Sequence, residues 1–510
     1  MERAEKYYIT TAIPYVNAAP HIGHALEFAQ ADALANYRRM RGDEVFLTTG
    51  ADENSLKNVR AAEKEGISVE ELCKRNAAAF REMAKGIGLK FDAFVRSSVK
   101  QEHWQGPVRL WELCNKNGDI YSKKYRGIYC VACELFYTEG ELVGGLCPEH
   151  GTKPEIVEEE NYFFRLSKYQ KILERLLESN ELRIYPQSRK NEMLSFIREG
   201  LEDFSISRSN KRAKGWGVPV PGDTSQTMYV WFDALCIYLT GIGFSGDEAQ
   251  FNKWWPADVH VIGKGITRFH AIYWPAMLIS AGLKLPKSLF VHGYVTVEGQ
   301  KMSKTTGNVL DPMVLINKYG TEKLRYYLLK EIPTFEDGDL SEKELVRVVN
   351  NELVSNLGNF IHRTLTFAHS NFGGAIEGGE IGPEEQKLMD GVYKMVEQAN
   401  LLLEEGKIRD AIVKILEIGN EANKYFQNSA PWELIKNDME ATMKVLFVCC
   451  NLCRIISNML YPFLPVASSE LLGFVGAKVV PFEDLKALHN SFKIEKPRIV
   501  FDKIREEGVK

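Results

Sequence analysis

Three absences narrow the possibilities before any motif is read. No stretch of the 510 residues stays apolar long enough to cross a bilayer: Val445 to Ala467 comes nearest and is broken by Asn451, Arg454, Asn458, Pro462 and Pro465. It reads as a buried helix followed by a loop. Cysteine is scarce and odd in number, nine in all, so a disulfide framework is not expected. The opening residues 1–8 lack the apolar core of a signal peptide, and their glutamates do not belong in a transit peptide. The cytoplasm is the expected compartment.

An excess of either charge is missing as well. Sixty-four Lys and Arg against 68 Asp and Glu leave a formal net charge of −4, so a nucleic-acid partner would have to be met by local basic patches. Arg38-Arg39-Met40-Arg41, Lys123-Lys124-Tyr125-Arg126 and the run Arg208 to Lys214 are candidates, though each is read more readily as a solvated face. No low-complexity tract or fixed repeat occurs. What is present, 45% hydrophobic and 26% charged residues, is the balance of a globular chain. At ~150 residues per unit, about three structural units are expected.

Periodicity divides the chain. Tyr7 to Ile13 reads as a buried strand, His24 to Arg41 as a helix with Ala25, Phe28, Ala29, Ala33 and Tyr37 on one face, and Glu44 to Gly50 as a second strand. Helical segments follow from Ser55 to Gly86. Strand alternating with helix predicts an α/β fold with a parallel sheet. Residues 119–224 shift to Gly, Tyr, Cys and charge, and read as an insertion. Sheet-like segments resume at Tyr229 to Phe232, Val259 to Gly263 and Ser288 to Gly293. Residues 1–118 and 225–340 therefore read as two halves of one split, Rossmann-type nucleotide-binding domain. From 341 to 510 the pattern is helical, with Leu345, Val349, Leu353, Leu357 and Ile361 every four residues, which predicts an all-α bundle of four or five helices. The charged stretch from Lys493 is expected at the surface.

Cys130-x2-Cys133 and, thirteen residues on, Cys147-Pro148-Glu149-His150 form a Cys₃His set of two short knuckles within the insertion. That spacing suits one closed, structural Zn²⁺, with no position left for water. Cys450-Asn451-Leu452-Cys453 shares the short spacing but lies in an apolar helical stretch and reads as core.

Two motifs point to ATP. His21-Ile22-Gly23-His24 sits where a strand turns into a helix, which offers backbone N–H groups and the positive end of the helix dipole to phosphate. Gly23 lets a flat base approach, and the imidazoles can donate to phosphate oxygens. Lys301-Met302-Ser303-Lys304-Thr305 follows a strand and a Gly-bearing turn, so its lysines lie on a loop able to close over phosphates. Each motif alone would pass as a structural pair or a solvated loop. Together, in this order, they resemble the signature of class I aminoacyl-tRNA synthetases, and the chain is similar to the methionyl-tRNA synthetase family along essentially its whole length. Thr305 stands where the family pattern usually has serine and keeps a hydroxyl.

The resemblance implies ATP-dependent ligation of L-methionine to its tRNA through methionyl-adenylate, with Mg²⁺ accompanying ATP. It implies catalytic roles for His21, His24, Lys301 and Lys304, and ATP contacts from these with Gly23, Ser303 and Arg208. It implies a methionine pocket of Ile13, Tyr15, Asp52, Trp231, Ala234, Leu235, Tyr238, Ile266 and His270, with Trp274 behind. An aromatic, polarizable cavity suits a thioether, and homocysteine is the natural near-substrate. The insertion is too short for the large editing domain of the isoleucine, valine and leucine enzymes. The helical part would bind the anticodon through Asn350 or Asn351, Arg363 and Trp432; an N-cap, a packing glycine and a core indole would account for this region equally. A monomer is expected. The cysteinyl enzyme, which would place a metal-binding cysteine near the first strand, is disfavoured because Thr10 to Tyr15 has none. A catalytically retired RNA-binding paralogue is disfavoured because both motifs are intact.

Overall fold

The structure, a computed structural model, describes residues 5–131, 135–149, 151–297, 299–301 and 310–505. Its centre is a six-stranded sheet built from β1 (Lys6–Thr11), β2 (Glu44–Ala51), β3 (Ala93–Arg96), β4 (Arg183–Tyr185), β5 (Val259–Gly263) and β6 (Ser288–His292). The spatial order is β3-β2-β1-β5-β6-β4, with every pairing parallel. Ile9 in β1 sits level with Leu47 in β2 and Val259 in β5. Tyr8 through Thr11 are fully buried, as expected of a parallel strand covered on both faces. The buried hydroxyls are satisfied between strands: Thr11 Oγ1 donates to Thr49 Oγ1 at 2.7 Å, and Thr10 Oγ1 meets His260 Nδ1 at 2.6 Å.

Strand order reverses between β1 and β5, which opens a crevice at their carboxyl ends. Into it run the helix Ile22–Met40 after β1, the Asp52 segment after β2, and the turns Lys264–Ile266 and Phe269–Tyr273 after β5.

The expected insertion contains two elements that its composition hid. Arg183–Tyr185 joins the main sheet beside Ser288–Phe290, flanked by the helices Gln170–Glu178 and Gln187–Glu199; a three-residue strand is too short to show a period. The remainder holds a four-stranded antiparallel sheet, in which Ile120–Cys130 pairs with Glu155–Phe164 and with the edge strand Leu135–Tyr137, and part of a three-stranded sheet in which Ser207–Ser209 pairs with Asp223–Met228. Tyr229 to Phe232, expected as strand, begins the short helix Val230–Ala234. A four-residue apolar run has no period that separates strand from buried helix.

The C-terminal part is helical. One continuous helix runs from Glu342 to Phe372, with Val349–Gly358 in π geometry, followed by Pro383–Glu404, Ile408–Ser429, Met439–Met459 and Pro465–Phe474. A four-residue repeat drifts by ~40° per step on a 3.6-residue helix. The wider i→i+5 turns offset that drift and keep Leu345, Val349, Leu353, Leu357 and Ile361 in the core. The buried helix is followed by a loop, as expected, but a short one: the chain turns after Met459 and Pro465 opens the next helix. The stretch from Lys493, expected at the surface, packs back onto the bundle. Ser491–Lys493 pairs with Ala375–Glu377, Phe492 and Phe501 are buried, and Ile494 N–H donates to Gly374 O at 2.8 Å. No helix among the described residues is long and apolar enough to cross a membrane.

A buried guanidinium joins the two parts. Arg325 donates to Asp32 Oδ2 on the helix Ile22–Met40, to Ile87 O, and to Phe463 O in the bundle, each at 2.8 Å. Asp32 also accepts from Asn36 Nδ2 and Lys90 N.

Candidate functional site at the carboxyl ends of the sheet

His21 is the N-cap of the helix that follows β1. Its Nδ1 accepts from Gly23 N–H at 3.1 Å, and His24 Nδ1 accepts from His21 N–H at 3.1 Å. Because both Nδ1 atoms accept, each neutral ring carries its proton on Nε2. The rings lie 3.9 Å apart and tilted by 33°, with Phe80 edge-on to His24. Burial pushes His21 down to about 4 from its ordinary 6.5. Burial, with His21 and His292 nearby, holds His24 well below its usual value. The pair is thus two neutral Nε2–H donors side by side. The backbone donors expected at this helix start are otherwise engaged: Ile22 N–H reaches Leu310 O at 3.2 Å, and His24 N–H returns to His21 O. The donors this helix start can offer to a ligand are therefore the imidazole Nε2–H groups rather than the backbone.

Leu310 also fixes where the lysine loop returns. The loop departs from a hairpin in which Val295–Val297 pairs with Gln300–Lys301 around Gly299, a left-handed position at φ 74°, and it comes back beside Ile22. Leu310, the first described residue after the lysine motif, thus stands beside the histidine pair. The Lys301 side chain, Ser303 and Lys304 lie outside the described residues. Arg208 is buried on the strand Ser207–Ser209, with its guanidinium carbon 5.7 Å from the Tyr129 ring centre and 5.4 Å from that of Tyr229.

The residues expected around an amino acid come together from four segments. Tyr15 bridges to Asp52 in parallel register, and Asp52 N–H donates to Pro14 O. The Tyr15 ring meets Trp231 edge-on at 6.2 Å, and Lys57 Nζ stands 4.1 Å over it. Trp231 meets His270 at 6.3 Å. His270 Nδ1 lies 2.9 Å from Ile266 O, an acceptor only, so Nδ1 carries the proton and Nε2 accepts from Tyr238 OH at 2.8 Å. Burial lowers His270 to about 4, which keeps it neutral. Ile13 and Ile266 are half-buried against the same apolar cluster, in which Leu235 and Tyr238 are core members; Ala234 is also buried.

Three contributors carried no readable signal. Phe269 stacks on Trp231 at 3.7 Å and 9°. Asp233, buried beside Trp231, accepts from Asn54 Nδ2 at 2.7 Å and faces His103 Nε2 at 2.8 Å. His103 Nδ1 in turn lies 2.9 Å from Thr240 Oγ1. Asn54 N–H also reaches Asp52 Oδ1 at 3.3 Å, so this chain of contacts fixes the Asp52 segment against the Trp231 helix. His103 is far from both in sequence, and only the fold brings it there.

In the antiparallel sheet, Cys130 ends its strand and Cys147 follows the Val143–Leu146 turn. Both are buried in one small cluster with Tyr137. Thr152 touches each, through Oγ1 to Cys130 Sγ at 3.7 Å and through its carbonyl to Cys147 N–H at 2.9 Å. Cys133 and His150 lie outside the described residues.

On the bundle, Arg363 is exposed, its guanidinium carbon 5.1 Å from the centre of the Phe426 ring and 5.8 Å from that of Trp432. Asn350 does not present itself to solvent: its amide accepts from Ile504 N–H at 2.8 Å and donates to Ile504 O at 2.9 Å. The returning tail, which periodicity did not reveal, occupies it. Asn351 is exposed. Asn359, which the sequence reading passed over, is exposed four residues before Arg363 and so shares its helix face. Cys450 and Cys453 are fully buried in the bundle core.

Comparison with known proteins agrees with this geometry. Residues 7–153 and 141–365 match the family described as tRNA synthetases class I (M), and residues 376–510 match the anticodon binding domain of methionyl tRNA ligase. A methionine–tRNA ligase of Brucella melitensis is 41% identical over 93% of this chain and 92% of its own length. One from Mycobacterium leprae is 40% identical, over 92% and 89% respectively. The fold superposes on a Mycobacterium tuberculosis methionyl-tRNA synthetase solved in complex with methionyl-adenylate, with a TM-score of 0.93, 38% identity, and coverage of 98% of this chain and 99% of that one. The chain belongs to the methionyl-tRNA synthetase family of class I aminoacyl-tRNA synthetases.

Proposed function

We propose that the chain ligates L-methionine to its tRNA at the expense of ATP, through methionyl-adenylate, releasing pyrophosphate and then AMP. The observation that carries this reading is the meeting, at the carboxyl ends of β1, β2 and β5, of an Nε2–H imidazole pair, a buried Asp52 and an aromatic box around Trp231.

A methionine carboxylate oxygen attacks the α-phosphorus of ATP. The new P–O bond forms as the α–β bridge breaks and pyrophosphate leaves. Asp52 holds the ammonium by a charge-assisted hydrogen bond, with Tyr15 and Ile13 flanking it. Trp231, Ala234, Leu235, Tyr238, Ile266 and His270 enclose the side chain. His21 and His24 donate from Nε2 to phosphate oxygens as charge grows on them, over the first turn that carries Gly23. Lys301 and Lys304, when their loop closes, neutralise the phosphates together with Arg208, and Ser303 donates a hydrogen bond to them. Mg²⁺ bound with ATP supplies further charge neutralisation. No covalent enzyme intermediate is required, because positioning and charge suffice. The terminal ribose hydroxyl of tRNA then displaces AMP. The Arg363, Phe426 and Trp432 cluster, with Asn359 one turn away and Asn351 about three turns back on the same helix, offers an aromatic and cationic face for unpaired anticodon bases.

The knuckle is read as one structural Zn²⁺ site. Two buried thiols held together through Thr152, on segments whose neighbours Cys133 and His150 complete a Cys₃His set, have the chemistry of a zinc donor set. Monomeric action in the cytoplasm belongs to the same reading.

The test is exchange of labelled pyrophosphate into ATP with each of the twenty amino acids. Methionine alone should support it, and His24→Ala should lower the rate by roughly 10²–10³-fold, the usual loss for one transition-state donor. Exchange driven by another amino acid, or none at all, contradicts the reading.

A further inference from the structure

Two of the residues read as enclosing the methionine side chain, Ile266 and His270, lie on the segment that follows β5, together with Phe269, which stacks on Trp231. That segment is built from two irregular turns, a tight one at Lys264–Ile266 and a wide π turn at Phe269–Tyr273. The wide turn runs on into the helix Trp274–Ser280 and is buried, whereas the tight turn is only partly covered at Ile266, so a contact from outside adds a hold at that end. Between them stands Arg268. Its side chain leaves the pocket and crosses to the knuckle, where Nη1 and Nη2 both donate to Glu141 Oε1 at 3.2 Å.

Each end of this contact is held. The other oxygen of Glu141 accepts from Thr138 N–H at 2.8 Å and from Thr138 Oγ1 at 3.0 Å, which closes the short turn Glu139–Glu141. Arg268 sits over the ring of Phe196 on the helix Gln187–Glu199, its guanidinium carbon 3.9 Å from the ring centre, a cation–π contact that adds a second hold on its side chain. A second knuckle residue approaches the same segment: a Cβ placed on Gly265 would stand 4.0 Å from Glu149 Oε2.

We infer that Arg268 and Glu141 are positioning residues for methionine: a strut through which the cysteine-bearing knuckle sets the turn that carries Ile266, Phe269 and His270. The inference rests on the pocket proposed above. It gives the knuckle a task in amino-acid recognition and makes methionine affinity depend on a contact that touches no substrate. The pair is only partly exposed, and an ion pair of this kind contributes up to ~1 kcal/mol, a factor of about five in affinity.

The experiment uses the full chain. Glu141→Gln, Arg268→Gln, each single charge reversal and the double reversal Glu141→Arg/Arg268→Glu are compared by pyrophosphate exchange and by tryptophan fluorescence titration with methionine. Zinc content and thermal midpoint are recorded for each. The strut predicts that every single substitution raises the methionine KM about fivefold, leaves the ATP KM and zinc content unchanged, and is rescued by the double reversal. A methionine KM unchanged in the single variants, no rescue in the double reversal, or a rise in KM only where zinc is lost overturns it. Failure of the pocket reading shows separately: it would leave His270→Gln with wild-type methionine affinity, whereas failure of the strut alone leaves that variant impaired.

Discussion

His270 illustrates how the site is set at the scale of one side chain. Its Nδ1–H is committed to Ile266 O and its Nε2 to Tyr238 OH, so a second proton has no place to go without breaking the contact to the phenol. Burial lowers its value from 6.5 to about 4. Between those values the unfolded chain binds a proton that the folded chain refuses. The stability tied to His270 is therefore complete above about 6.5 and is lost as pH falls toward 4, at up to ~1.4 kcal/mol per unit. Urea unfolding at pH 7 and pH 5 should show a smaller pH-dependent loss in His270→Gln than in the wild type; equal losses would remove His270 from that account. The chemistry of the residues was legible where residue type alone decides it, as at Asp52 and the two histidines. Tautomers were not, because they depend on which carbonyl or amide the fold brings to each ring nitrogen. The occupied backbone donors of the first helical turn have the same origin, since Leu310 reaches Ile22 across nearly three hundred residues.

At the scale of elements, β1, β2, β5 and β6 and the helix after β1 were readable from apolar runs and helical spacing. The failures have a common cause in length. Arg183–Tyr185 and Val230–Ala234 are shorter than the window in which a period can be measured. The returning tail keeps its charged residues at the surface, as its composition suggested, but its anchoring through Phe492, Ile494 and Phe501 was not legible because these few apolar residues are scattered among the charged ones. Between elements, the Arg325–Asp32 pair ties the histidine-motif helix, the end of the helix Val69–Gly86 and the bundle turn at Phe463 into one joint, and both side chains are almost wholly buried. Removing one partner leaves the other charge buried and uncompensated. Asp32→Asn should lower the unfolding free energy by about 3–5 kcal/mol in urea titration. A loss below about 1 kcal/mol would mean that the joint carries little of the packing between sheet and bundle.

Across the whole molecule, the strand-end site and the Arg363–Trp432 face lie on different parts of the chain and serve different partners in the proposed reaction. Trp432→Ala should therefore leave pyrophosphate exchange unchanged while raising the KM for tRNA in aminoacylation by roughly tenfold, from the loss of one base stack at about 1–3 kcal/mol. A matched fall in both assays would place Trp432 in the fold rather than in RNA recognition. The division into an α/β part and a helical C-terminal part was legible because buried strand runs between helices give way to helical spacing alone. Which of Asn350 and Asn351 faces solvent was not legible, since nothing local to Asn350 shows that Ile504 occupies its amide.

The claim on which everything else depends is that the crevice between β1 and β5 joins methionine to the α-phosphate of ATP. The direct measurement is the amount of adenylate held by the purified protein after incubation with α-labelled ATP, methionine and pyrophosphatase, without tRNA. The account predicts close to one methionyl-adenylate per chain, and almost none for His24→Ala at the same protein concentration. No labelled adenylate on the wild-type protein, or an adenylate that forms equally well when leucine replaces methionine, would contradict it.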